Sequence, residues 1–305
     1  MTAHAVQAHF QPFQDVTRGL VAALLLLAAA LTQAGDGGER QIPTTLSSTT
    51  LDLIALNVAH ARGTAINQLF VSEAGHRKNL QRIAAVLEKS GAHVAALQEA
   101  DGPSLWSGGF DHVEFVSANT DFKSLVHGHH ADSWLFAYGA ALLSRIELTD
   151  TRSHHFQPSW PTAGKGFVTG SLSWRQSEEG SRPQSVTLAS VHLDFSRESV
   201  RHSQVAEIVN ELRGAPRPLI VMGDFNADWS DPDSPVRQLA QGLELSAFEP
   251  DNPRLGTYKD SDRLDWILIS PELRFVQYTV VPDIVSDHLA VVARIGLNKG
   301  ENQDE

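Results

Sequence analysis

Cysteine is absent from all 305 residues of the chain. The protein can therefore form neither a disulfide nor a thiolate metal site, and no lipid can be attached to a cysteine behind a leader segment. The fold must rely on its hydrophobic core, and a hydrophobic content of 42% is ordinary for a globular protein that can bury one.

Basic residues are scarce as well. The chain has 24 Lys and Arg against 36 Asp and Glu, a formal net charge of -12. Tight nonspecific binding of nucleic acid requires Lys and Arg that neutralise several phosphates, and the sequence has no basic run or basic-aromatic stripe. This composition carries no strong nucleic-acid-binding signature.

Long apolar runs are also lacking, apart from the stretch Gly19–Leu31 near the N-terminus. Arg18 precedes this stretch and the small residue Ala34 follows it, an order that predicts a signal peptide over 1–34 and export to the periplasm or the exterior. A stretch shorter than roughly 20 apolar residues disfavours a simple bilayer span. The alternatives are a membrane anchor at 19–31, which would hold the protein near a membrane, and a buried helix.

The rest of the chain predicts one catalytic domain. Residues 35–50 are rich in Gly, Ser and Thr and predict a flexible lead-in, while 299–305 predict a polar tail. The informative motifs are spread over 51–298, so one site would need that whole span folded together. No internal repeat is visible, and a monomer is expected.

Strand-like and helix-like segments alternate along this domain. A helix over 77–90 places Leu80, Ile83 and Leu87 on one face and ends before Gly91. The other predicted elements are strands at 51–58, 94–97, 134–143, 166–174, 185–192, 219–222, 264–269, 275–281 and 289–295, and a helix at about 198–212. This alternation predicts an α/β protein with sheets inside and helices outside.

Polar groups stand where the apolar strands end, which is where loops usually build sites. The most informative runs are Val-Met-Gly-Asp-Phe-Asn at 221–226 and Ser-Asp-His at 286–288. Each occurs beside an apolar stretch, and together they predict metal-assisted phosphoester hydrolysis. Four further groups have the same placement: Asn57, Glu99, His192 and Asp265.

The order of these residues resembles the endonuclease/exonuclease/phosphatase superfamily, which contains DNase-like and neutral-sphingomyelinase-like phosphoesterases. The resemblance covers residues 51 to 296. It implies a four-layer α/β/β/α sandwich of two packed mixed β-sheets flanked by helices. It also implies a hydrolase that uses a divalent metal, Mg²⁺ with Mn²⁺ or Ca²⁺ as alternatives, and an activated water.

The resemblance assigns Asn57, Glu99 and Asp287 to the metal, with Glu99 as the principal ligand. Hard carboxylate and amide oxygens suit Mg²⁺, which usually keeps several waters. Many family members carry a second acid two residues after the Asn, and here that position is Ala59. One or two metals therefore both stay open.

The catalytic assignments are Asp224 and Asn226 from one run, the Asp265–His288 pair, and His192. Asp224 would orient or deprotonate the attacking water, and Asn226, two residues on along the same strand face, would donate to phosphoryl oxygens. Asp265 would hold the tautomer of His288, and His192 would contact the phosphate or the leaving oxygen. Either Asp224 or His288 could be the base.

Several other residues are weaker candidates. The trio His127, His129 and His130 looks metal-like, but no acidic or cysteine partner follows at ligand spacing, which favours a solvated loop. The aromatic loop Ser104–Phe110 predicts a segment tucked onto the core by its rings, with a substrate-facing loop as the alternative. Arg145, Lys165, Arg201 and Gln204 are further candidates for phosphate contact or for ordinary surface and packing roles.

The sequence thus predicts a metal-dependent phosphodiesterase. Its substrate stays open among a phospholipid, another small phosphodiester and nucleic acid. The alternative is a non-catalytic exported binding protein that retains the same fold.

Overall fold

Two β-sheets face each other in the computed structural model, which describes residues 41–176, 181–259 and 261–298. One compact unit begins at Ile42 and contains both sheets. The predicted signal segment 1–34 and the polar tail 299–305 lie outside the described residues. Within the described part of the chain, no helix is both long and apolar enough to cross a membrane.

The first sheet has seven strands and the second has six. The first contains β1 Thr45–Ser47, β6 Thr149–His155, β7 Gly166–Arg175, β8 Gln184–His192, β9 Leu219–Asp224, β10 Ser246–Ala247 and β11 Asp265–Ile269. Its order is β1-β7-β8-β9-β11-β10, and β6 also pairs with β7. The second contains β2 Leu51–Asn57, β3 Val94–Asp101, β4 Ser124–Asp132, β5 Ala137–Ser144, β12 Leu273–Val280 and β13 Val291–Leu297. Its order is β12-β13-β2-β3-β5-β4.

Four α-helices cover the outer faces of the sheets in the described residues. They are α1 Glu73–Ser90, α2 His112–Ala118, α3 Glu198–Leu212 and α4 Pro235–Leu243. One buried apolar cluster fills the space between the sheets, a second joins the six-stranded sheet to α1 and α2, and a third joins the seven-stranded sheet to α3 and α4. The four-layer α/β/β/α sandwich of two mixed sheets is therefore confirmed.

Strand pairing brings the predicted site residues to one end of the sandwich. In the seven-stranded sheet, Asp224 is the register partner of His192 on one side and of Asp265 on the other. In the six-stranded sheet, Asn57 pairs with Gln98, the residue before Glu99. Polar side chains from both sheets consequently meet at the shared end.

The helix over 77–90 is confirmed but starts earlier than the periodicity predicts. Ser72 accepts a hydrogen bond from the Gly75 amide as the N-cap, so α1 gains a further turn. Gly91 ends the helix at φ 66°, the left-handed conformation that a glycine C-cap supplies. The structure also contains β4, β6, α2 and α4, which the sequence patterns did not predict.

The predicted flexible lead-in differs from the structure at its C-terminal part. Thr45–Ser47 form β1, which pairs in parallel with the end of β7, and Leu46 is only 7% exposed within the cluster between the sheets. The Trp174 indole donates to the Ser48 carbonyl at 2.8 Å and fixes the segment from the other side. This short strand was hard to predict because a Thr- and Ser-rich segment has little apolar pattern of its own.

Leu46→Ala is expected to lower the free energy of unfolding by about 2–3 kcal/mol, because it removes a buried side chain and leaves a cavity that the sheets cannot fully fill. The exposed neighbour in the same strand provides the control: Ser47→Ala should change stability by no more than about 0.5 kcal/mol. Urea denaturation of the full-length chain measures both. Equal midpoints for Leu46→Ala and the wild type would show that the segment is the flexible lead-in that its composition suggests.

Candidate active site

Glu99 lies where β3 departs from regular pairing. The register between β3 and β5 shifts between Leu97 and Ala100, and Glu99 adopts φ 50°, an uncommon conformation for a residue with a side chain. This bulge turns the carboxylate into the site while Asp101 continues the strand. Strained backbone of this kind persists only where the surrounding structure holds it.

The Glu99 carboxylate accepts no hydrogen bond from the described residues. The nearest partners are His60 Nε2, 3.4 Å from Oε2, and His192 Nε2, 3.7 Å from Oε1. Burial favours the neutral acid, but the nearby charges of His60 and Lys165 outweigh it and lower the pKa of Glu99 to about 2. Glu99 is therefore an ionised carboxylate whose two oxygens accept no hydrogen bond from the described residues and lie 3.4 and 3.7 Å from imidazole nitrogens.

Asp224 is the centre of a buried polar group. Asn57 donates to its Oδ2 at 2.9 Å, and the Asn226 amide N–H donates to its Oδ1 at 2.9 Å. His192 Nε2 and His288 Nε2 lie 3.7 and 3.9 Å from the same Oδ2. Burial and the adjacent Asp265 carboxylate raise the pKa of Asp224, the direction that makes a carboxylate a better proton acceptor.

His288 forms the predicted pair with Asp265. Its Nδ1 lies 2.8 Å from Asp265 Oδ2, which also accepts a hydrogen bond from the Thr257 hydroxyl at 2.6 Å. Burial opposes protonation of the imidazole, but Asp265 outweighs it and raises the pKa of His288 to about 10. His288 is therefore a protonated imidazole that Asp265 orients, with its Nε2 toward Asp224.

Lys165 joins the site beside His192. Its Nζ lies 2.9 Å from His192 Nε2 and 3.1 Å from Nδ1, and both side chains are buried. Burial and the Lys165 charge hold the pKa of His192 well below its usual value, so this imidazole is neutral. The weak sequence candidate Lys165 is thus the ammonium group closest to the predicted phosphate-contacting histidine.

His60 and Asp101 also belong to the site, and the sequence analysis missed both as site residues. His60 follows Asn57 in a run of three left-handed residues, Ala59 to Ala61, with φ of 46°, 55° and 52°. This turn brings His60 Nδ1 within 2.6 Å of Asp101 Oδ1. Burial disfavours the charged imidazole, yet Asp101 and Glu99 raise the pKa of His60. The available signals were a histidine three residues after the motif asparagine and an acid two residues after Glu99.

The backbone explains why the Gly-Asp-Phe-Asn run begins with glycine. Gly223 has φ 142°, and a Cβ there would lie 2.1 Å from the Val191 carbonyl oxygen and 3.0 Å from Gln98 Nε2. Only glycine allows β9 to come this close to β8 while presenting Asp224 beside His192. The run therefore needs Gly223 for the close approach of the two strands and Asp224 for its carboxylate in the site.

Two predicted residues have placements that differ from the expectation. Asn226 is not on a strand with Asp224, because β9 ends at Asp224 and Asn226 has φ 49° in the following turn. Its side-chain amide donates to the Leu193 carbonyl at 3.1 Å. Asp287 forms an ion pair with Arg62 at the rim. The predicted roles of Asn226 toward phosphate and of Asp287 toward metal stay predictions.

Three of the weaker candidates have structural roles. Arg145 forms ion pairs with Glu88 and Asp121, Arg201 donates to the Asp194 carbonyl, and Gln204 accepts from the Asp194 amide. These contacts fit the surface and packing roles that the sequence analysis kept open.

The loop Ser104–Phe110 is tucked in as the sequence analysis favoured. The Trp106 ring lies parallel to Tyr138 and edge-on to His60, with centroids 6.5 and 6.1 Å away. Phe110 packs against Phe115. The loop is therefore also a wall of the site.

The histidine trio does not lie in a solvated loop, contrary to the sequence-based expectation. All three residues are in β4, which pairs with β5 along its length. His127 and His129 point to one face of the sheet, and His130 is buried elsewhere, 3.2 Å from the Ser153 hydroxyl. The loop prediction failed because the run Ser-Leu-Val-His-Gly-His-His has no clear alternation of apolar and polar residues.

The residues present fit a divalent cation. Glu99 supplies an ionised carboxylate that accepts no hydrogen bond from the described residues, and the Asn57 side-chain oxygen accepts from the Ala59 amide and keeps a second lone pair. Asp224, Asp265 and His288 bring ligand atoms within 4.8 Å of one another. Oxygen-rich donors of this kind suit Mg²⁺ or Mn²⁺ better than softer metals.

A four-layer sandwich with acid, amide and imidazole groups at the shared end of its sheets is the architecture of DNase-like phosphoesterases. The sequence profile of the Endonuclease/Exonuclease/phosphatase family matches residues 55–288. The chain belongs to this family, which includes phosphoesterases and nucleases and whose enzymes generally depend on a divalent metal.

Solved structures share the fold at low sequence identity. An endonuclease/exonuclease/phosphatase from Beutenbergia cavernae is 17% identical with a TM-score of 0.61, over 82% of this chain and 72% of that one. The catalytic domain of human nocturnin, solved with a bound sulfate anion, is 17% identical with a TM-score of 0.60, over 82% and 96%. A mannosyl-6-phosphatase from Bacteroides thetaiotaomicron is 14% identical with a TM-score of 0.58, over 80% and 99%. No curated protein sequence gives a significant match.

Asp265→Asn is expected to lower the pKa of His288, because the carboxylate that stabilises the imidazolium loses its charge. The folded-state pKa of about 10 exceeds the unfolded value. The stabilisation from protonated His288 is therefore complete below about pH 6.5 and is lost as the pH rises through the folded-state value. NMR titration of the imidazole signals in EDTA, with His288→Gln for assignment, measures the shift. A His288 signal that titrates near pH 6.5 in the wild type would contradict the pairing.

Proposed function

We propose that the chain is a divalent-metal-dependent phosphodiesterase. The observation that carries this proposal is the ionised Glu99 carboxylate, which accepts no hydrogen bond from the described residues and lies in one cluster with Asp224, the Asp265–His288 pair and the Lys165–His192 pair. A phosphodiester needs a cation on its phosphoryl oxygens, a positioned water, and donors for the charge that develops in the transition state. The site offers candidates for each.

Glu99 would hold the metal together with Asn57, and Asp287 would join after leaving its ion pair with Arg62. The metal would supply positive charge to the phosphoryl oxygens and make bound water more acidic. Because Ala59 offers no carboxylate and His60 lies beside Glu99 with a raised pKa, the protein itself supplies fewer oxygen ligands than two metals would need. We therefore propose one metal, Mg²⁺ or Mn²⁺.

Asp224 is the proposed base. Its Oδ2 faces His192 and His288, and its raised pKa suits a group that takes a proton from water near neutral pH. His288, protonated through Asp265, would then stabilise negative charge on the phosphoryl group rather than accept the proton. This assignment follows from the different burial and charge surroundings of the two groups.

Lys165 is the proposed donor on the leaving-group side. His192 is neutral and buried, so it is a poor acid at neutral pH, whereas the adjacent ammonium carries protons and charge. Burial lowers the pKa of Lys165, and Glu99 and Asp224 act against that lowering. His192 would hold the ammonium and accept a hydrogen bond from it.

Apolar side chains on loops beside the site favour a substrate with an apolar group. Phe195, 67% exposed, lies two residues after Leu193, and its ring is 6.0 Å from Lys165 Nζ. Arg197 donates to the carbonyls of Ser159 and Trp160, so the loop with exposed Trp160 is tied to the same segment. Among the open substrates we propose a small phosphodiester with an apolar part, such as a phospholipid, over nucleic acid.

Export through residues 1–34 and a monomeric state are part of the proposal and rest on the sequence alone. The apolar stretch and the small residue after it support export. We therefore propose that the activity is periplasmic or secreted.

Asp224→Asn is expected to lower kcat for bis-p-nitrophenyl phosphate by about 10²–10⁴ with Mg²⁺ or Mn²⁺, because the proposed base is lost while its size is kept. Glu99→Gln should weaken activation by the metal. Asp283→Asn, which changes a surface acid paired with Lys89, should leave both unchanged. Hydrolysis by full-length Asp224→Asn at the wild-type rate would rule out this mechanism. Absence of hydrolysis by the wild type with either metal would favour the non-catalytic binding protein.

Phe195→Ser is expected to raise KM for a short-chain phosphatidylcholine by about tenfold, since burying an aromatic ring against substrate contributes roughly 1.5–3 kcal/mol. Its kcat for bis-p-nitrophenyl phosphate should stay close to wild type. Val276→Ser, on the edge strand β12, tests for a general effect of removing exposed apolar surface. Rapid cleavage of single-stranded DNA beside slow cleavage of the phospholipid would instead favour a nucleic-acid substrate.

A further inference from the structure

Two histidines of β4 and one aspartate form a second cluster apart from the residues of the proposed mechanism. His127 and His129 are two apart on a strand, so both point to the same face. Asp111 comes from the N-cap of α2 and approaches them from another part of the chain. Their ligand atoms all lie within 4.8 Å of one another.

The distances within this cluster are close to those around a tetrahedral zinc ion. His129 Nε2 lies 3.2 Å from His127 Nδ1, and Asp111 Oδ2 lies 3.6 Å from His127 Nδ1 and 4.0 Å from His129 Nε2. Ligands at about 2.0–2.1 Å from a tetrahedral Zn²⁺ are about 3.3 Å apart. Shifts of a few tenths of an ångström would therefore place the three atoms on one face of a tetrahedron.

The hydrogen bonds around His127 fix the tautomer that a metal requires. Its Nε2 lies 3.0 Å from the Ala100 carbonyl oxygen, and since a carbonyl only accepts, Nε2 must carry the proton. In the neutral ring that carries this proton, Nδ1 has a lone pair that faces His129 Nε2 and Asp111 Oδ2. Donation of the second ring N–H to a backbone carbonyl is the usual way in which proteins orient a metal-binding histidine.

Asp111 is oriented in the same manner. Its Oδ1 accepts a hydrogen bond from the Glu114 amide at 2.9 Å, which leaves Oδ2 for the histidines. The N-cap hydrogen bond thus fixes the direction from which Oδ2 approaches the two imidazoles.

Gly102 makes room for the His129 ring. A Cβ at this position would lie 2.6 Å from His129 Nε2, the atom that faces the other two ligands. The side chain of His129 is 37% exposed, against 7% for His127 and 14% for Asp111, so the open side of the cluster faces solvent. Water could complete the coordination there.

We propose that Asp111, His127 and His129 form a second metal site that binds Zn²⁺. Two imidazoles and one carboxylate are a ligand set that Zn²⁺ favours, whereas Mg²⁺ favours ligand sets made of oxygen atoms. Asp111 ends the loop that starts at Gly102, so the ion would clamp that loop to β4. The same loop carries Trp106, which packs against Tyr138 and His60 beside the proposed active site.

Co²⁺ and Zn²⁺ binding to the full-length protein test this proposal without any assay of activity. We expect one Co²⁺ per chain to give the intense visible absorption of tetrahedral coordination, whatever binds at the oxygen-rich Glu99 site, and we expect Zn²⁺ to displace that signal. Asp111→Asn and His129→Gln should weaken binding by about tenfold or more. Glu99→Gln should retain the signal, which separates this site from the metal of the proposed activity.

A glycine pair provides a test that removes no ligand. Gly102→Ala should weaken Co²⁺ binding by about tenfold, because the added methyl displaces the coordinating nitrogen of His129. Gly214→Ala is the matched control, since a Cβ there meets no atom within 4 Å. Circular dichroism and the Tm in EDTA verify that each variant is folded.

Thermal denaturation gives an independent readout. Zn²⁺ at about one hundred times Kd should raise the Tm of Glu99→Gln, in which the metal site of the proposed activity is impaired, by roughly 5 °C, and it should leave that of the double variant Glu99→Gln/His129→Gln unchanged. Failure of the wild type to bind Co²⁺ would overturn the proposal. So would a tetrahedral signal that survives in Asp111→Asn and His129→Gln or one that disappears only in Glu99→Gln.

Discussion

The structure depends on how four acidic groups are accommodated at one end of the sandwich. Glu99, Asp101, Asp224 and Asp265 all lie in this region, three of them almost fully buried. Unpaired carboxylates in such surroundings would repel one another and lose hydration. The ammonium of Lys165 and the protonated imidazole of His288 beside Asp265 balance them, and His60, whose pKa is raised, lies beside Asp101.

This balance gives neighbouring carboxylates different properties. Glu99 faces cationic groups and is held ionised, whereas Asp224 faces Asp265 across a strand pair and has a raised pKa. One acid is thereby suited to bind a cation and the other to take a proton. The separation arises from the register Asp265–Asp224–His192 and from the bulge at Glu99, so the sheets determine the different acidities of the two carboxyl groups.

Much of the fold could be predicted because its inner strands are strongly apolar. The runs that end at Asn57 and Asp224 are buried on both faces, and such continuous apolar segments are easy to recognise. The edge elements β1, β4 and β6 escaped prediction, since strands that contact solvent on one side carry mixed sequences. Their place in the fold depends on partners far away in the chain.

The sequence by itself determined the family, the α/β layering and the chemical groups that end the central strands, because apolar runs and the motif residues are local features. Only the tertiary structure decided that His60, Asp101 and Lys165 join the site, that Asn226 turns away from the strand direction, and that Asp111 meets the histidines of β4. These outcomes rest on a left-handed turn, a bulge and contacts between distant segments. Sequence spacing does not encode such contacts, since the distance between two side chains in space depends on how whole layers pack.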